Sequence, residues 1–259
     1  MMITSRDNEL IKEVSKLISA SKYRKKSNCF VAEGVRLCRD AASSGALIKS
    51  FLYTSEAAEK YNEELCIISK AAASSAEISR ELYDRLSDTG SPQGFLCVID
   101  MNSTPRLNEI SISGKYAALE NIQDPSNLGT ILRTAEALGV DGVILSEGCC
   151  DIFSPKVVRG SMGAVFRLPF MQVKSMADFV RIQTSSGAVC YASAPRDAED
   201  IENIDFSGGA IMLIGNEGNG LKEETISCCT KRVKINMKGR AESLNAAAAA
   251  AILLYRLLS

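Results

Sequence analysis

Tyr116-Ala117-Ala118-Leu119-Glu120-Asn121-Ile122-Gln123-Asp124-Pro125-Ser126-Asn127-Leu128-Gly129-Thr130-Ile131-Leu132-Arg133-Thr134-Ala135 reads as a strand, a loop and a helix in immediate succession. The apolar run 116–119 gives way to a polar stretch holding Pro125 and Gly129. Ile131, Leu132, Ala135 and Leu138 then recur at helical spacing, which predicts a helix over 130–138. A second apolar run at 142–145 completes a strand–helix–strand unit, the connection that joins parallel strands. The alternation continues toward the chain end. Strands are expected at 166–173, 188–192, 210–214 and 232–235, with helices near 155–162, 177–183 and 221–228. The alanine-rich stretch 246–258 predicts a last helix, with Ser243 or Asn245 as its N-cap. A mostly parallel sheet covered on both faces is the expected α/β architecture.

Upstream, periodicity weakens over 101–114, which is rich in polar and turn-forming residues and marks an expected domain boundary. The N-terminal hundred residues alternate as well. Helices are expected over 8–19, 36–42, 57–61 and 76–86, and strands at 30–31, 48–53, 66–68 and 95–99. The expected division is a small α/β domain over 1–100, a linker over 101–114 and a larger domain over 115–259.

Composition narrows the chemistry. The chain has no histidine, so Ser-His-Asp and Cys-His mechanisms are excluded, and proton transfer must rely on other groups. Its nine cysteines form no C-x-x-C pattern; reduced thiols serving mainly as core filler are expected, and no metal. No apolar run approaches the roughly 20 residues that span a bilayer. With no signal-peptide pattern at the N-terminus either, the expectation is a cytoplasmic protein without a membrane partner. Formal net charge is only −1, yet residues 1–50 carry ten basic side chains against five acidic ones. Lys22, Arg24, Lys25 and Lys26 are tightly grouped, as in a segment that tracks phosphates; a solvated helix face explains the same composition equally well.

In an open parallel sheet, ligands bind beyond the carboxyl ends of the strands, so the loops there matter most. Three stand out: 120–129, then Gly215-Asn216-Glu217-Gly218-Asn219-Gly220-Leu221, then Ile235-Asn236-Met237-Lys238-Gly239-Arg240-Ala241-Glu242-Ser243-Leu244-Asn245. The glycines of the second imply close approach of backbone to a ligand or a plain turn, and their order is neither G-x-G-x-x-G nor a P-loop. The third offers free backbone N–H groups at a helix start, or an ordinary cap. The expected helix puts Arg133 in its first turn, where a cation is disfavoured by roughly 0.3 to 1 kcal/mol. Either a ligand or carboxylate compensates it, or it pairs on the surface with Glu136 or Asp141.

Taken together, N-x-x-D-P-x-N-x-G-x-I-x-R-T-A, G-N-E-G-x-G-L and S-L-N-x-A-x-A-A-A resemble, in order and spacing, the three signature motifs of the SpoU (TrmH-like) family of SPOUT RNA 2′-O-ribose methyltransferases. The stretch 156–164 also resembles a segment of that family. Over residues 1–100, Phe30-Val31-Ala32-Glu33-Gly34 and Ser91-Pro92-Gln93-Gly94 are similar to the L30e-like substrate-binding domain that commonly precedes the catalytic one.

The resemblance implies an α/β-knot, a deep trefoil, in the C-terminal domain, and a homodimer whose active sites borrow from the partner. It implies S-adenosyl-L-methionine bound in a bent shape, largely by backbone atoms, at Gly215, Ile235 and Leu244, with Ile214, Asn216, Gly218 and Met237 as neighbours. Arg133 becomes the catalytic arginine, with Asn127, Glu217, Ser243 and Asn245 ordering it and the ribose. The family proposal that this arginine is a general base conflicts with a guanidinium pKa above about 12, so stabilising the forming alkoxide and gripping a phosphate is the expected role. Lys22, Arg24, Lys25 and Lys26 are then expected to bind structured RNA. Ribosomal RNA of the 23S type is the expected substrate; a tRNA substrate, a resistance methylase of ribosomal RNA, and a non-catalytic ribosome-assembly factor are the alternatives.

Overall fold

Asn8 and Asn28 bracket the first helical segment, and both act through their short polar side chains. Asn8 Oδ1 accepts the Leu10 N–H at 3.0 Å and starts α1 (Glu9–Ser19), whose Ile11, Val14 and Leu17 are buried. Asn28 ends α2 (Ser21–Ser27) in the left-handed region at φ 55°, a conformation asparagine tolerates. The computed structural model describes residues 2–241 and 243–259.

The chain continues through β1 (Cys29–Glu33), α3 (Val35–Ser43), β2 (Ile48–Tyr53), α4 (Ser55–Lys60), α5 (Asn62–Ala71), β3 (Ser75–Glu77), α6 (Arg80–Leu86) and β4 (Phe95–Asp100). These strands form a sheet of order β1-β4-β2-β3, antiparallel except for β2 with β3. Then come β5 (Lys115–Leu119), α7 (Pro125–Leu138), β6 (Gly142–Ser146), α8 (Pro155–Gly160), β7 (Phe170–Val173), α9 (Met176–Ser185), β8 (Cys190–Ser193), β9 (Glu199–Asp200), β10 (Ala210–Ile214), α10 (Glu223–Ile226), β11 (Lys231–Lys234) and α11 (Ala246–Leu258). The second sheet has the order β7-β6-β5-β10-β8-β11-β9, and its strand pairings are all parallel.

Two compact units result, and they do not follow chain order. One comprises Met1–Pro105 with Asp151–Arg167, the other Arg106–Cys150 with Leu168–Ser259. In the first unit, the 151–167 stretch packs on β1: Phe30 lies 4.6 Å from the Phe153 ring and 6.1 Å from that of Phe166, centroid to centroid. In the second, every residue of β6 and β10 is buried, as expected for strands covered on both faces. Tyr116, Ala118, Ile211 and Leu213 form a core with Phe179 and Val180 of α9, while α11 packs on α7, β10 and β5. Because neighbouring strands run parallel, the loops after β5, β10, β8 and β11 leave the same edge of the sheet.

Several expected elements differ. Residues 66–68 are helical, within α5, where only Ile68 is buried; a three-residue apolar run carries no period to separate helix from strand. The expected helix 76–86 splits into β3 and α6, since Ser79 Oγ caps the Leu82 N–H at 3.3 Å and starts the helix there. The expected strand 166–173 begins only at Phe170, after a 3-10 turn over Ala164–Phe166. Helix α7 starts earlier than expected: Asp124 Oδ1 accepts the Ser126 N–H, and Pro125 occupies the first helical position, where its missing N–H costs nothing. Arg133 therefore lies well beyond the first turn, and the dipole argument for a compensating ligand falls away.

Arg24 also departs from the expected phosphate-binding role. Its side chain is buried at 4% exposure rather than turned toward a phosphate. Nε and Nη2 lie 2.9 and 2.8 Å from Asp151 Oδ2, and Nη1 donates to the Leu17 and Ile18 carbonyls at the end of α1. Ser21 Oγ donates to the same carboxylate oxygen. Lys22, Lys25 and Lys26 remain exposed. Removing one partner of a buried pair strands the other charge, so Arg24→Ala is expected to cost about 3–5 kcal/mol in equilibrium urea unfolding. Lys25→Ala, at an exposed site, should stay within about 0.5 kcal/mol.

Candidate active site

The loop after β10 is built to be tight. Asn216 and Gly220 exchange two backbone hydrogen bonds, of 3.0 and 2.9 Å, and Asn216 Oδ1 accepts the Gly218 and Asn219 N–H groups between them. A Cβ on Gly215 would lie 2.2 Å from Gly220 C and Leu221 N. Glycine is required there by the loop's own backbone, so of the two readings of this glycine cluster the close approach is internal to the turn.

Glu217, at the tip, ties this loop to the one after β5. Its carboxylate accepts from Asn127 Nδ2 at 3.0 Å, from the Asp124 and Gln123 N–H groups at 3.3 and 3.4 Å, and from Asn216 Nδ2 at 3.3 Å. Asn127 Oδ1 in turn accepts from Asn245 Nδ2 at 2.9 Å, and Asn245 Oδ1 caps α11 through the Ala247 and Ala248 N–H groups. One chain of hydrogen bonds thus joins all three loops, and Asn245, not Ser243, is the N-cap.

Below this chain, Glu120 at the end of β5 is 2% exposed. It accepts from the Lys222 N–H at 2.8 Å and the Thr225 hydroxyl at 2.7 Å. It fixes the segment that follows the glycine loop. The sequence offered one signal for it: a lone carboxylate directly after a buried strand.

A cavity of about 590 Å³ opens beside these loops, at the carboxyl ends of β8, β10 and β11. Every residue expected to hold the cofactor lines it: Ile214, Gly215, Asn216, Gly218, Ile235, Met237 and Leu244. Glu217 and Ser243 line it too. Val233 and Leu253 add buried apolar surface, and Ile235–Met237 run outside any helix or strand, which leaves their backbone polar groups out of a ladder. Apolar walls with a few fixed polar groups suit a nucleoside-sized molecule. Ser193, Ala194 and Pro195, also in the lining, were not anticipated, although the strand-end rule points to them as the loop after β8.

Arg133 is not among the lining residues. It is exposed on α7 and makes no hydrogen bond or ion pair among the described residues. Asp141, one of the two expected surface partners, accepts instead from the Lys115 N–H at 2.7 Å. Lys22, Lys25 and Lys26 belong to the other unit. No group of three or more His, Cys, Asp or Glu residues placed to hold a metal occurs among the described residues. All nine cysteines are free thiols; Cys29, Cys38, Cys97 and Cys190 are buried and Cys66 is exposed.

Burial pushes the Glu217 carboxyl up, but hydrogen bonds from Asn127 and from the Asp124 and Gln123 N–H groups outweigh it, and the pKa falls below the ordinary 4.5. A depressed carboxyl contributes its tie above the unfolded value and loses it as pH falls through the folded one. In an NMR titration, the Asp124 and Gln123 amide shifts should therefore stay constant from neutral pH down to about 4.5 and move only below it. An inflection above that value would mean that Glu217 is not held by these donors.

Comparison with known proteins supplies a frame for this geometry. The SpoU rRNA Methylase family matches residues 114–255, and the MRM3-like substrate binding domain matches residues 8–97. The chain is 30% identical to the 23S rRNA (guanosine(2553)-2′-O)-methyltransferase RlmP of Bacillus subtilis, over 98% of each chain. It is also 30% identical to the 23S rRNA (uridine(2479)-2′-O)-methyltransferase of Streptomyces viridochromogenes, over 98% of this chain and 90% of that one. Among solved structures, the AdoMet-bound rRNA methyltransferase from Sinorhizobium meliloti is similar with a TM-score of 0.87 and 31% identity, covering 99% of this chain and 97% of that one.

Proposed function

This chain belongs to the SpoU family of RNA methyltransferases, and from that premise we infer that it moves a methyl group from S-adenosylmethionine to a ribose 2′-hydroxyl of ribosomal RNA. One observation carries the reading. Glu217, Asn127 and Asn245 are hydrogen-bonded to one another beside a cavity lined by the full set of expected cofactor residues.

The residues present fit the cofactor. Val233, Leu244 and Leu253 offer apolar walls for a purine, the backbone of Ile235–Met237 offers donors and acceptors for its edge, and ionised Glu217 favours a cationic ligand nearby. Bound there, S-adenosylmethionine supplies an electrophilic methyl group on a sulfonium. Attack by a ribose oxygen requires in-line placement and easier loss of the hydroxyl proton. We assign the placement to Asn127, Glu217, Ser243 and Asn245. Arg133 is assigned to the forming alkoxide and the adjacent phosphate: its fork has five N–H donors, all without a partner among the described residues, and a guanidinium is a poor base.

Arg133 stands on an exposed face, so the proposal includes a homodimer through the C-terminal domain in which it serves the partner's cavity. Exposed Ala248, Ile252 and Tyr255 support this, since they share one face of α11. A deep trefoil knot belongs to the same reading. Strands β10 and β11 are inserted between strands laid down earlier, and α11 returns to α7 and β5. The N-terminal unit, with Lys22, Lys25 and Lys26 exposed on α2, is proposed to hold structured RNA through phosphates. Ribosomal RNA is favoured over tRNA because relatives that match both domains are named for 23S rRNA. The 23S type and cytoplasmic residence are part of the proposal.

Nucleoside mass spectrometry of ribosomal RNA from cells with and without the protein should show loss of one 2′-O-methyl position; an unchanged profile would end the reading. With purified enzyme, Arg133→Lys should lower kcat by about 10²-fold or more, because lysine cannot reproduce the planar fork. Near-full activity across pH would remove that role. Glu217→Ala should abolish turnover while circular dichroism stays unchanged. Charge reversal at Lys22, Lys25 and Lys26 should weaken RNA binding and reduce its salt slope by about one for each phosphate no longer neutralised, with cofactor affinity intact.

A further inference from the structure

The Ser91-Pro92-Gln93-Gly94 pattern takes no part in the chemistry above, yet it is held in place from both β1 and β2. Gly94 has φ +82°, and a Cβ there would meet Ala57 Cβ at 2.5 Å and Thr54 Oγ1 at 2.7 Å. Its carbonyl accepts the Thr54 N–H at 3.0 Å, and Gln93 Oε1 accepts the Val35 N–H at 3.0 Å. At the other end of this loop, Glu33 accepts from the Ser87 hydroxyl, the Thr89 hydroxyl at 3.1 Å and the Asp88 N–H at 3.4 Å. A loop held this firmly at both ends is a wall rather than a tether.

What it walls is an open cavity of about 450 Å³, bordered on the other sides by Thr54, Glu56, Lys60, Tyr61 and Arg80. That size lies within the range of about 300–1,000 Å³ typical of small-ligand sites. Tyr61 is set edge-on to Phe95 with centroids 5.9 Å apart, and Lys60 Nζ lies 5.1 Å from the Tyr61 ring centroid, which fixes an ammonium at the rim. Arg80 gives Nε to Asp84 Oδ1 at 2.7 Å; its two terminal nitrogens make no hydrogen bond among the described residues, and its charge acts on Glu56. Two cations, an aromatic wall and a proline meet one carboxylate. Its own backbone N–H, the Thr54 hydroxyl and the Arg80 charge lower the pKa of Glu56.

Cations alone would suit any phosphate, but a carboxylate among them asks for a ligand that also carries N–H donors. Guanine offers two adjacent donors to a carboxylate's two acceptors, and its ring offers a face to stack. We propose that this cavity takes one unstacked guanosine of the substrate RNA, with its phosphate toward Lys60 and Arg80, its base along Tyr61 and Pro92, and its N1–H and N2–H toward Glu56. The assignment rests on the reading of the chain as an RNA-modifying enzyme. It adds a nucleotide contact, separate from Lys22, Lys25 and Lys26, within the stretch that matches a substrate-binding domain.

The test measures binding of the full chain, without cofactor, to fluorescein-labelled RNA heptamers of three uridines, one variable base and three uridines. Guanosine at the centre should bind tightest. Lys60→Glu and Arg80→Glu should each weaken that heptamer by about tenfold and lower its salt slope by about one. Tyr61→Leu should weaken it by about fivefold or more without changing the slope. Lys70→Glu, exposed on α5 outside the cavity, should change nothing. If Tyr61→Leu fails to fold, the two exposed charge reversals carry the test. Equal affinity for all four central bases, or unchanged binding by both charge variants, would overturn the proposal. Binding of 5′-GMP as tight as that of the heptamer would also overturn it, by assigning the cavity to a free nucleotide. Methylation of ribosomal RNA assayed in parallel separates the two readings: turnover with an inert cavity leaves the enzyme and removes the site, whereas guanosine-dependent binding without turnover does the reverse.

Discussion

The hydrogen-bonded chain from Glu217 through Asn127 to Asn245 is the constraint on which the C-terminal unit depends. Its members come from three loops far apart in sequence, and they meet because the strands before those loops run parallel and end at one edge of the sheet. Each link is also local architecture. Glu217 meets the backbone at the entry to α7, Asn245 starts α11, and Asn127 joins the two. A change in any one of them therefore loosens the loops beside the cavity.

The cavity follows from the same arrangement. Backbone is part of its polar character, because β11 gives way to an irregular stretch and the glycine loop after β10 folds on itself. Side chains contribute apolar walls, the Glu217 carboxylate, the Lys234 ammonium and the polar groups of Ser193, Asn216, Asn219, Asn236 and Ser243. Such a site recognises a molecule by shape and backbone complementarity, which agrees with a cofactor whose charge is a sulfonium and whose bulk is a nucleoside.

The N-terminal unit uses charge differently. Arg24, in the middle of the basic cluster, is turned inward to hold Asp151 and the end of α1, so the neighbouring lysines are displayed by a helix pinned from below. Glu33 and Gln93 play a comparable part where β1 ends and β4 begins, holding the 87–94 loop. Arg24, which sequence alone would place on a phosphate-tracking surface, is here an internal support.

Read as letters, the chain determined its fold class and the three loops at strand ends, because strand–helix alternation records local backbone requirements; seven of the residues that line the cavity came from the resemblance of its short motifs to the SpoU family. Residue type alone also excluded histidine chemistry. Tertiary structure decided the rest. It buried Arg24, placed 66–68 in a helix, started α7 at Pro125, chose Asn245 over Ser243 as the cap, and left Arg133 on an exposed face away from the lining. It also made Glu120 a buried anchor. These outcomes depend on which distant segment supplies a partner or covers a side chain, and that information lies in the packing of the whole chain rather than in any stretch of it.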